Sequence, residues 1–152
     1  LARANTNKTE AEMDFSSINW IAVVLCLVAS MVIGGVWFSP RVFFNTWWKA
    51  IGKTEKDMQD MSKGSSASMM VTWGGTIIAS LIQAIFMGFM TDAMGAGNWS
   101  SGAMTGFWLW LGFIAPSSLT NKLFADRVPA WFYEAGNHLV TFLVMGAIHG
   151  AM

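Results

Sequence analysis

The sequence predicts an all-α integral membrane protein, with four transmembrane helices and a short interfacial amphipathic helix after the first, and three observations carry that expectation. Hydrophobic residue types make up 54% of the 152 residues and charged types 12%, about half the charged share of an ordinary soluble domain. Four apolar runs are each long enough to cross a hydrocarbon core as helices. Lys and Arg are absent from those runs and gather in the segments between them, as burial in hydrocarbon requires. A soluble four-helix bundle would need a polar face about half the circumference wide on every helix, and the first two runs lack one. Nine Lys/Arg balance nine Asp/Glu, so there is no net basic field and nucleic acid is not an expected partner.

Taken in order, a polar amino-terminal tail, residues 1–17, precedes a single membrane domain, 18–152. The first span, 18–38, measures about 31 Å as a helix, with Trp20 and Trp37 placed as interface anchors at its two ends. Ser39 and Pro40 close it, and Pro40 suits the first turn of a new helix with Ser39 as its cap. In 40–52, Arg41, Asn45 and Lys49 recur every fourth residue while Phe44, Trp47 and Trp48 take the other side. That is the pattern of a helix lying in the headgroup plane, or otherwise packed on the protein's own surface. Residues 53–68, charged and then Gly/Ser-rich, read as a polar loop. The remaining spans fall at 69–90, 102–119 and 131–152.

Orientation follows from the basic residues. Arg3 and Lys8 lie on one side of the four spans, against Arg41, Lys49, Lys53, Lys56, Lys63, Lys122 and Arg127 on the other. The excess places the connections after the first and third spans in the cytoplasm and both termini outside it. A bacterial inner membrane or a plasma membrane fits, as does an organelle membrane. Asn7-Lys8-Thr9 and Asn98-Trp99-Ser100 match the glycosylation acceptor pattern on the outer side.

Chemistry has few places to sit. The last span carries Glu134, Asn137, His138, Thr141 and His149, and Glu134, His138, Thr141, Met145 and His149 form one stripe at helical spacing. Ionisable groups are costly in lipid and turn toward protein, water or a partner, so this stripe is the candidate working surface. Glu134 and His138 can meet across one turn. They supply only two metal ligands where zinc takes three or four, and with one cysteine, Cys26, in the chain, no metal site is expected. In the third span Pro116 cannot donate to the carbonyl of Gly112, so a kink is expected at 112–116, with Ser117 and Ser118 able to satisfy the groups it releases. Gln83, central in the second span, and the small pairs that include Gly146 with Gly150 are expected to serve helix packing. Trp108 and Trp110 lie deeper than the belt tryptophans and point to different faces. No nucleophile elbow, zincin, P-loop or dinucleotide fingerprint occurs, and neither a catalytic residue nor a cofactor is assigned.

Several of these segments also carry a resemblance. Ile18-Asn19-Trp20, Trp37-Phe38-Ser39-Pro40, Trp110-Leu111-Gly112-Phe113 running into Ala115-Pro116, Leu119-Thr120-Asn121, and Gly136-Asn137-His138 with Met145-Gly146 resemble the "domain of unknown function 1761" family from residue 18 to the carboxyl end. The resemblance implies a small multi-span membrane protein and supplies no activity, substrate or catalytic residue. Glu134 has no place in its pattern.

Two functions are open at this point. The favoured one is a non-enzymatic helix-packing component, as a homo-oligomer or an accessory subunit of a membrane complex, with the lipid bilayer and other membrane chains as partners. The alternative is a small proton-linked transporter or channel that uses the fourth-helix stripe. A cavity reaching Glu134 and His138 would favour transport, and dry burial against another chain would favour the subunit.

Overall fold

In the computed structural model, which describes residues 15–64 and 66–152, every regular element is helical. The charge count at Arg3 and Lys8, the Asn7 acceptor triplet and most of the polar tail lie outside the described residues. After a short 3-10 turn, Phe15–Ser17, the first long helix, α1, runs Trp20–Trp37. Asn19 starts it by accepting the backbone N–H groups of Ile21 and Ala22 at 3.1 and 3.2 Å, two of the donors that a helix start leaves without partners.

The segment after α1 departs from expectation. Pro40 does not open the next helix. Residues 39–43 form turns in which the Ser39 carbonyl, not its hydroxyl, accepts from Val42 and Phe44 N–H, and α2 spans only Phe44–Ala50. Trp48 is buried and its indole donates to the Thr54 carbonyl at 2.9 Å, while Arg41 and Lys49 stay exposed. The apolar side of α2 therefore lies largely on the protein itself. The polar loop also holds a helix, α3 (Glu55–Ser62), begun by a reciprocal cap between Thr54 and Asp57. Hydrogen bonds from the Thr54 hydroxyl and backbone N–H, each 2.7 Å long, hold the Asp57 carboxyl below its ordinary range.

Three long rods follow. Helix α4 runs Ser66–Ala93, and its two halves differ: Met70 and Val71 are 73% and 75% exposed, whereas Ala84 and Met87 are 0% and 2%. The third rod comprises α5 (Trp99–Leu109), a π turn (Trp110–Ile114) and α6 (Ala115–Phe124). Asn98 caps α5 through Ser100 and Ser101 N–H. The π turn is the form taken by the expected opening: the Ala115 N–H reaches back to the Trp110 carbonyl, and this wider turn gives the Pro116 ring room. Ser117 donates to the Phe113 carbonyl at 2.7 Å and Ser118 to that of Ala115 at 3.1 Å. The last rod, α7, runs Val128–Ala151, with Pro129 in its first turn, where a missing N–H does no harm.

By themselves, Trp20–Trp37 and Ala67–Ala93 are long and apolar enough to cross a membrane. The π turn divides the third rod, and its polar residues lower the hydropathy of α7. Trp37 meets Tyr133 and Cys26 meets Met145, so α1 runs antiparallel to α7. Val23, Cys26, Ala84, Met87, Phe142 and Met145 form the buried core where α1, α4 and α7 converge.

The tightest seam joins α5 to α7. A Cβ placed on Gly102 would collide with the Gly146 carbonyl, one on Gly106 with the Phe142 carbonyl, and one on Gly150 with the Asn98 carbonyl and the Gly102 Cα. Backbone thus rests on backbone, which only glycine permits here. Gly150→Leu is expected to lower stability by about 3 kcal/mol or more, the upper range for overpacking a close contact. Gly75→Leu, at a position where a Cβ meets nothing within 4 Å, should leave the thermal midpoint in detergent near that of the wild type. Equal midpoints for Gly150→Leu and wild type would exclude the seam.

Candidate functional site

Between the carboxyl half of α1, the middle of α4 and the first half of α7 lies a cavity of about 490 Å³. Helix α1 contributes Ser30, Gly34 and Gly35, and α4 contributes Thr76, Ser80 and Gln83. From α7 come Glu134, Asn137, His138 and Thr141, which helical spacing places on one side of the rod. The cavity exists because α4 makes its close contacts only from Ser80 onward. A Cβ on Gly34, Gly35, Gly74 or Gly75 would find open space.

The expected stripe on α7 divides in two. Its upper part is structural: Met145 is fully buried, and His149 Nε2 lies 2.9 Å from the Ala84 carbonyl. A carbonyl only accepts, so this nitrogen carries the proton. The imidazole also packs on Gly88, where a Cβ would lie 2.9 Å from the ring. The lower part faces the cavity. Thr141 closes onto the Asn137 carbonyl of its own helix at 2.9 Å, but the Asn137 Nδ2 donor is buried without a partner among the described residues. His138 belongs to the candidate stripe, and Gln83 was expected to serve helix packing. Neither side chain makes a hydrogen bond among the described residues, because the open cavity separates the rods at their level.

Glu134 closes one end of this space. Its Oε1 accepts the Trp47 indole N–H at 3.0 Å and pairs with Lys122 Nζ at 2.8 Å. The carboxylate thus has a cation and a fixed donor, and it joins α2, α6 and α7. Its partner is Lys122, a contact between residues too far apart for helical spacing to reveal. Among the described residues no group of three or more His, Cys, Asp or Glu is close enough to hold a metal ion.

Tryptophans that read as belt anchors also tie helices together. Trp37 Nε1 donates to the Tyr133 carbonyl at 2.9 Å, and Trp131 Nε1 to Ser118 Oγ at 3.0 Å and the Ala115 carbonyl at 3.2 Å. Trp110 reaches the Ala135 carbonyl at 3.0 Å, whereas Trp108 is about half exposed. Each of these indole bonds fixes α7 against a neighbour. The arrangement leaves a neutral, partly polar chamber able to bind a ligand through amide and imidazole groups, with one carboxylate and one imidazole as its protonatable sites.

Removing the cation from Glu134 tests the closing contact. Both partners are about one-fifth exposed, 23% and 21%, so Lys122→Met should destabilise by about 2 kcal/mol, less than the 3–5 kcal/mol of a fully buried pair. Adding Glu134→Gln should recover most of that loss, since the uncompensated charge disappears. Denaturation midpoints of the two single variants and the double variant give the coupling directly. Additive losses would show that the two side chains do not interact.

No curated protein and no solved structure matches the chain. A family model does match it, over residues 21–150, a span that takes in all three walls of the cavity, the glycine seam and the π turn. The chain belongs to the family described as "Protein of unknown function (DUF1761)".

Proposed function

We propose that the chain is a four-span membrane protein that moves a small solute, coupled to a proton, through the cavity between α1, α4 and α7. The observation that carries this reading is the set of polar side chains, Gln83, Asn137 and His138, that line one cavity, where the Asn137 Nδ2 donor is buried without a hydrogen-bond partner among the described residues. Unpartnered polar groups between apolar helices are expensive, and natural proteins retain them where something else binds. Glu134 and His138, one turn apart at the same cavity, supply groups able to take up and release a proton.

Length supports four crossings. The continuous rod 99–124 measures about 39 Å and α7 about 36 Å, against a hydrocarbon core of about 30 Å. Ser117, Ser118 and Thr120 bond to carbonyls of their own rod, which removes much of the penalty of their hydroxyls in lipid. In this reading the basic connections, with α2 and α3, lie on the cytoplasmic side and both termini on the other. The packing-subunit reading draws its support from the exposed apolar half of α4. Its argument from Gly146 and Gly150 is weaker, because those glycines meet α5 of the same chain.

Two measurements test the proposal. Single cysteines at Lys56 and at Asn98 should react with an impermeant reagent from opposite faces of sealed vesicles, with Cys26 silent because it is buried. Reaction from one face would remove the four-span arrangement. In vesicles holding a pH-sensitive dye, the wild type should dissipate an imposed pH gradient faster than protein-free vesicles do. Folded His138→Gln should be slower by about a hundredfold or more, the lower end of a proton-transfer contribution. A variant that matches the wild type would defeat proton coupling at this residue.

A further inference from the structure

We infer that the cavity receives the uncharged, hydrogen-bonding head of a single-tailed amphiphile whose hydrocarbon tail runs past Gln83 into an apolar groove between α4 and the π turn. The inference rests on the cavity being the working site, as proposed above, and identifies the class of ligand it takes.

Gln83 is the hinge of the argument. Its side chain lines the polar cavity and also a second space of about 220 Å³. That groove has Phe86 and Met90 on α4, Leu109 and Ile114 at the π turn, and Met87 and Phe142 at its base. Apart from Gln83, its lining is wholly apolar. The two spaces therefore share one amide as their boundary, polar on one side and hydrocarbon-like on the other. A water-soluble solute would use the first space and leave the second unexplained. An amphiphile uses both, head and tail in the order the lining dictates.

Charge selects the head. Glu134 already has Lys122 as its counter-ion, and among the described residues no Lys or Arg lines the cavity to hold a phosphate or carboxylate. No unpaired carboxylate lines it to hold a quaternary amine. What remains are amide groups at Gln83 and Asn137, the unpartnered Asn137 Nδ2 donor among them, and the imidazole of His138. These match the carbonyl and hydroxyl oxygens of a neutral head. The groove has less than half the volume of the cavity, which suits one tail beside a bulkier head. Sideways access is open, since Trp73 at the cavity edge and Phe113 beside the groove are 59% and 69% exposed.

The test uses the full chain in nanodiscs with a monoacylglycerol that carries a photoactivatable diazirine midway along its tail. A second probe has the same tail on a phosphate head. Labelling by the monoacylglycerol should concentrate on residues 86–90 and 109–114 and exceed labelling by the phosphate probe about tenfold. Gln83→Leu and Asn137→Leu, with thermal midpoints checked, should each reduce it by about tenfold, the order expected for a neutral hydrogen bond whose loss strands a partner. If either variant fails to fold, Leu109→Trp, which fills the groove and leaves the head-binding groups in place, should give the same loss. Equal labelling by the two probes, labelling spread evenly over Val24, Val28 and Val32 on the outer face of α1, or no change in folded variants would overturn the inference. His138-dependent proton flux without head-selective labelling would overturn the amphiphile and leave the proposed proton-coupled cavity standing. Selective labelling without flux would support the amphiphile and defeat the coupling.

Discussion

The approach of α5 to α7 through Gly102, Gly106, Gly146 and Gly150 is the constraint on which the rest of the architecture depends. Glycine on both sides of a helix pair lets the two backbones approach closely, and dense packing then holds them. At this seam a single added Cβ would strike the opposing backbone, so the two rods are held in one register. With α7 set against α5, its other faces are committed too. Phe142 and Met145 meet α1 and α4 in the core, His149 reaches Ala84, and the Glu134 to Thr141 side is left for the cavity.

Indole bonds extend the frame that the glycines begin. Trp37, Trp110 and Trp131 bond backbone carbonyls on neighbouring helices, using the second lone pair of acceptors already engaged in helix hydrogen bonding. These ties run among α1, the third rod and α7, and they cluster near the start of α7. Among the described residues, helix α4 has no such indole tie along its first half. It is joined to α7 near Ala84 and Gly88, where the His149 ring fits against small residues. Three rods are thus braced and the fourth is held at one end, which is why a chamber opens where it does.

The chamber gains meaning from what its walls leave undone. Buried polar groups in proteins nearly always find partners, and elsewhere in this chain they do: hydroxyls of Thr91, Thr105 and Thr141 bond to carbonyls one turn back. The Asn137 Nδ2 donor is different: it is buried without a partner among the described residues, and Asn137 lines the same space as Gln83 and His138. The ion pair at Glu134 compensates the one carboxylate in the lining, so the chamber is neutral as well as polar. Neutrality and the adjoining apolar groove together narrow the ligands it could hold.

Features that depend on neighbours along the chain were legible in the sequence. The apolar runs coincide with long helices, and the disturbance near Pro116 follows from a missing N–H. The cap between Thr54 and Asp57 was equally local, yet the charge and Gly/Ser content around it read as a loop and α3 was missed. The two-part role of the α7 stripe, the pairing of Glu134 with Lys122 and Trp47, the tryptophans that tie helices, and the unpartnered state of Gln83 were decided only by tertiary structure. Helical periodicity fixes which residues share a face, because that depends on 3.6 residues per turn. What the face meets depends on how closely rods from distant parts of the chain approach, and here a few glycines and the divergence of α4 set that distance.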